Sequence, residues 1–159
     1  FYRMRVESFY PTVDNPAVDG RGAIGHQVGV EQNVLFFAKD SLAVRLAYET
    51  SAADGTQWSW SGLLAGGQLS INMMEIAEFK AGVEFLMRDF PDSSYMLTDG
   101  SGTESRSDKR LTGWLGPEFL IGKRVRLELK YLVVKNFSNI GDRFDFIRHM
   151  GMLKVDVTI

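Results

Sequence analysis

The residues best equipped for chemistry are His26 and His149, the chain's two histidines, because imidazole titrates near neutral pH and binds metals readily. They lie far apart in sequence and neither belongs to a ligand cluster, so they do not read as a metal pair. A hydrolase acting on lipid would need a serine and an acid beside one of them. The stretches IRHMGM and IGHQVG show no such neighbours. Only a fold-assembled triad at His149 would make the chain a lipid-modifying enzyme, and catalytic residues are not expected. His149 is expected at a membrane interface, or turned inward through a bulge.

Two further stretches imitate known sites. GRGAIG, Gly20 to Gly25, fits the letters of a dinucleotide-binding turn, but a strand-like HQVGVEQNV follows where a helix is required. It reads as a glycine-rich loop. TDGSGTESRSD, Thr98 to Asp108, is rich in oxygen ligands but lacks the spacing of a calcium loop, so it reads as a surface loop. Asn136 begins an NFS sequon by letter only. No metal and no cofactor is expected.

The remaining candidates are paired acids and bases. VRLELKYLV, Val125 to Val133, alternates charge and oil strictly, and a strand sends successive side chains to opposite faces. The same alternation places Arg3, Arg5, Glu7, Glu31, Arg45, Glu49, Glu78, Lys80, Glu84, Arg88, Glu118, Arg126, Glu128, Lys130, Lys154 and Asp156 in one register. The opposite register is apolar, as in Val28, Val30, Val34 and Phe36, or Leu153, Val155, Val157 and Ile159. Acids and bases balance in the first set. Their repetition on nearly every strand reads as packing, since structural ion-pair networks resemble catalytic sites.

Bulk composition narrows the partners. The chain has 159 residues, ample for one domain spanning 1–159, with 18 Lys plus Arg against 20 Asp plus Glu. Such balance supplies no basic field for phosphate backbones, so nucleic acid is not an expected partner. Zero cysteines exclude disulfides and thiolate chemistry. No apolar run is long enough for a spanning helix, and the first residues do not resemble a signal peptide. A membrane barrel escapes that test because only alternate residues face lipid.

Period-two segments of about ten residues, enough for a tilted strand to cross a bilayer, recur from end to end. They cover 1–13, 26–38, 42–50, 58–71, 74–90, 110–121, 125–136 and 143–159. The connections alternate long and short, which gathers the long loops at one end. The longest irregular stretch is 91–109. Pro117 predicts a bulge or kink beside Gly116. Aromatics near both ends of the segments predict two interfacial girdles.

This pattern resembles the small eight-stranded bacterial outer-membrane barrels, the group that includes outer-membrane proteins A and X. The stretch from Arg110 to Ile159 also resembles the closing strands of larger porin-like barrels, with Phe144, Asp145, Phe146 and Arg148 in an aromatic-Asp-aromatic-x-Arg segment. The chain departs from the terminal aromatic usual in such barrels, since it ends in Ile159.

The resemblance implies an all-β, antiparallel up-and-down transmembrane β-barrel of about eight strands, with short periplasmic turns and long extracellular loops, in the bacterial outer membrane. Membrane lipid and lipopolysaccharide would surround it. A protein partner would dock on loops 13–25 and 90–109. With the charges inside, an eight-stranded barrel would be filled by side chains and act as an anchor or binding protein. The alternatives are a porin-like channel, alone or as part of a larger barrel, the lipid-modifying enzyme above, and a soluble lipocalin-like ligand-binding barrel with the apolar face turned inward.

Overall fold

Strict alternation favours extended chain, and each alternating segment pairs with the next in sequence. The computed structural model describes residues 2–9, 21–37, 39–53, 58–96, 102–122, 124–140 and 144–157. Eight strands form one sheet: β1 (Tyr2–Phe9), β2 (Arg21–Phe36), β3 (Asp40–Ala53), β4 (Trp60–Met74), β5 (Ala77–Met96), β6 (Thr103–Ile121), β7 (Val125–Ser138) and β8 (Phe146–Val157). Their spatial order is their sequence order, and every neighbouring pair is antiparallel. Among the described residues β1 and β8 share no backbone pairing.

The expected alternation of connections holds. The strands are joined at 37–39, 75–76 and 122–124 at one end, and across 10–20, 54–59, 97–102 and 139–145 at the other. We call these the short-turn end and the long-connection end.

The sheet curls. Side chains from β2 to β8, including Asn33, Arg45, Gln68, Glu84, Trp114, Lys130 and Met152, line a single cavity of about 430 Å³. A flat sheet, with strands about 4.8 Å apart, would hold β2 and β8 too far apart for that. The face toward the cavity is the inner face.

Three expectations are corrected. GRGAIG is not a loop where described: Arg21–Gly25 belongs to β2 and pairs with Phe9–Arg5. The stretch 91–109 is not one loop either, because β5 runs to Met96 and β6 starts at Thr103. Their ladder continues past a register shift between Phe90 and Ser94 to the Met96–Thr103 pair. The proposed docking loop 90–109 is therefore mostly paired hairpin. Of loop 13–25, residues 13–20 lie outside the described residues.

Third, Pro117 produces no bulge. Phe79 pairs with Pro117 and Lys80 with Gly116 in unbroken register. On the β7 side the same register resumes from Leu115–Tyr131 to Glu118–Glu128. Proline removes one donor without adding a residue, so pairing lapses locally and the register survives.

Candidate functional site

The two faces differ in kind. On the face opposite the cavity that Arg45 and Glu84 line, Val30 is 69 % exposed, Leu115 50 %, Leu129 43 % and Leu153 63 %. Facing inward, Asp108 is 0 % and Asn136 1 % exposed. Contiguous apolar surface on this scale marks a face that meets a partner or an apolar medium.

Inner-face ion pairs cluster at three levels. At the short-turn end Glu78, Glu118 and Glu128 sit opposite one another on β5, β6 and β7. Like charges directly opposite repel, and diagonal bases relieve them. Lys80 Nζ lies 3.2 Å from Glu78 and 2.7 Å from Glu118, Arg126 Nε 3.1 Å from Glu118, and Lys130 Nζ 2.6 Å from Glu128. Lys154 and Asp156 pair at 2.8 Å in an exposed position.

At mid-height Arg45 on β3 pairs with Glu84 on β5, although β4 runs between them. The residue between is Gly66, which is in register with both. With no side chain there, the bridge lies directly over the strand. Gly62 stands in the same register relation to Glu49 and Arg88.

Just below, a β-carbon at Gly82 would overlap the Trp114 indole, which lies against that backbone. Gly66 and Gly82 thus make room for the Arg45–Glu84 bridge and the Trp114 indole.

Towards the long-connection end lies the most buried polar group. Arg106, 8 % exposed, donates to Asp108 through Nε at 3.0 Å and through Nη2 at 2.5 Å. Arg88 Nη2 donates to Asp108 at 3.2 Å and to Asn136 Oδ1 at 3.0 Å. Asn136 Nδ2 in turn donates to the Phe144 carbonyl at 3.0 Å. The Arg106 guanidinium lies 4.3 Å from the Phe90 ring centre and 3.7 Å from that of Phe144, within cation–π range. Together these groups obstruct that end of the interior.

Arg3 is exposed at one rim of a cavity of about 220 Å³, which Gln27, Arg45, Glu49, Trp60, Glu84 and Arg110 also line. Glu49 accepts a hydrogen bond from Gln27. Glu31 is exposed and lies 3.4 Å from the Asn33 amide. The side chains of Arg5 and Glu7 lie outside the described residues.

Sequence reasoning missed Arg106 and Asp108 as inner-face residues because 91–109 read as loop, and missed Arg110 at the first position of the segment that follows. It also missed Ala47, Leu64 and Leu86, a buried apolar cluster against Trp60 within the otherwise polar register. Both histidines are on the exposed face. Tyr2 Oη bonds His26 Nδ1 at 2.7 Å, and Tyr131 Oη bonds His149 Nδ1 at 2.7 Å. His149 is thus not turned inward by a bulge, since β7 and β8 pair in regular register around it. No serine bonds either imidazole among the described residues, and no group of metal-ligating side chains occurs there.

No protein-family model, curated protein or solved structure gives a significant match to this chain.

Proposed function

We propose that the chain is an integral membrane protein of the bacterial outer membrane, a closed eight-stranded barrel that serves as an anchor and presents the β5–β6 hairpin to a partner. The observation that carries this reading is the exposed apolar face set against a paired, shielded ionic one. Such a face is stable against acyl chains, where each backbone polar group must also be bonded within the sheet.

Supporting details follow the same division. Lys109 and Lys135 are exposed on the outer face near the long-connection end, with Lys135 Nζ 4.5 Å from the Phe137 ring centre. Basic and aromatic residues in such a belt suit the phosphates and carbonyls of a lipid headgroup layer, lipopolysaccharide included. At about ten residues per crossing, β5 and β6 with 20 and 19 residues are long enough to project beyond the bilayer. Long-connection loops would then be extracellular and short turns periplasmic.

The Arg106–Asp108–Arg88 group and the Arg45–Glu84 bridge both obstruct the interior, which favours an anchor over an open pore. A porin-like reading rests on one observation: two cavities stack along the interior, and Arg45 and Glu84 line both. Gel migration with and without boiling, after detergent extraction, tests membrane insertion and closure together. A closed membrane barrel changes mobility on boiling and needs detergent to stay in solution. Unchanged mobility and solubility without detergent would refute the proposal.

A further inference from the structure

We propose that the cavity beside Arg110 binds a small dianionic oxyanion. Consider which charges meet there. Arg3, Gln27, Glu49, Gly62, Arg88 and Asp108 follow one another in register across β1 to β6. In the adjoining register Ala47, Leu64 and Leu86 lead directly to Arg110. Arg110 therefore projects inward beside an apolar wall, at the edge of the cavity of about 220 Å³.

Its neighbours leave it unneutralised. The Asp108 carboxylate is shared by Arg88 and Arg106. Glu84 is engaged by Arg45, and Glu49 accepts from Gln27. Among the described residues Arg110 makes no ion pair, and its Nε is buried without a hydrogen-bond partner. The Nε of Arg88 is buried and unbonded as well. Among the described residues, three guanidinium groups, those of Arg3, Arg45 and Arg110, line the cavity against two carboxylates, Glu49 and Glu84.

A shielded guanidinium without a counter-charge is costly. The guanidinium fork matches the paired oxygens of phosphate and carboxylate, and a bidentate anion would satisfy it. The cavity is smaller than the 300–1,000 Å³ typical of drug-sized ligands, which restricts the guest to a small ion. Trp60 and Leu64 on its wall exclude water from one side and strengthen the attraction. Phosphate and short dicarboxylates share this chemistry. The site depends on the curl of the sheet, so it goes beyond the membrane reading and does not require it.

Isothermal titration of the refolded full chain in detergent tests it. Inorganic phosphate and succinate are each titrated at constant ionic strength, with chloride as reference. We expect saturable one-to-one binding of at least one dianion and none of chloride; which dianion binds identifies the source. Arg110→Gln should weaken it about tenfold or more, and Arg110→Lys should weaken it less. Arg3→Gln gives an independent check should Arg110→Gln not fold, with a several-fold loss expected. Lys154→Gln, remote from the cavity, should bind like the parent. Absence of saturable heat from both dianions, or unimpaired binding when Arg110 or Arg3 is replaced in a folded variant, would overturn the proposal. Boiling-dependent gel migration, read separately, distinguishes failure of the site from failure of the barrel.

Discussion

Arg45 and Glu84 meet across a strand to which neither belongs, passing over Gly66. The bridge stands between two cavities of about 220 and 430 Å³, and both its members line each of them. Removing both side chains by Arg45→Ala with Glu84→Ala should join the cavities. In a planar bilayer the double variant should pass measurably more current than the parent, which is expected to stay near baseline. Glu84→Ala alone strands Arg45 and should lower unfolding stability by about 1–3 kcal/mol in a urea titration in lipid vesicles.

Gly82 and Trp114 form a second complementary pair. Gly82→Val would force the indole off the backbone it covers, at a cost of about 1–3 kcal/mol for overpacking. Trp114→Ala added to Gly82→Val should recover part of that loss. Urea midpoints of the two single variants and the double variant measure the coupling.

Asp108 pairs with two guanidinium groups while fully buried. Asp108→Asn should therefore destabilise the fold by about 3–5 kcal/mol, the range for breaking a buried pair. Asp156→Asn, at an exposed pair, should change stability by less than about 1 kcal/mol. Equal effects at the two positions, read from unfolding midpoints, would contradict the structure.

Neighbouring residues on β7 should respond oppositely to charge. Leu129 is exposed on the outer face, and Lys130 pairs with Glu128 on the inner one. Leu129→Arg should impair insertion by about 2–4 kcal/mol near the bilayer midplane, whereas Lys130→Gln should be far milder. The yield of heat-modifiable protein refolded into vesicles reports the difference.

The strands were legible wherever one face had to be apolar, because that demand writes period two into the sequence. Val125 to Val133 is the plainest case. Along 94–96 and 103–105 the β5–β6 ladder persists without an apolar face, and Pro91, Asp92 and Ser93 fall in its register shift, so the stretch read as loop. GRGAIG hid for another reason: four of its six residues are glycine or alanine, and small residues mimic a turn. The Arg106 cluster depends on Phe90 and Phe144, which pairing and curl bring together from distant parts of the chain. Arg110 stood at the boundary of an assumed loop, beside leucines that only strand pairing sets next to it.

The orientation of the two faces is the central claim, and the absence of cysteine permits a clean test. Single cysteines placed in turn from Val125 to Val133 are labelled with an environment-sensitive fluorophore, and the protein is refolded into vesicles containing brominated acyl chains. Labels at 127, 129 and 131 should emit blue-shifted light and be quenched, while those at 126, 128 and 130 should be neither, giving a strict period of two. Quenching at 126, 128 and 130 instead, or no alternation along the strand, would contradict the assignment of the apolar face to lipid.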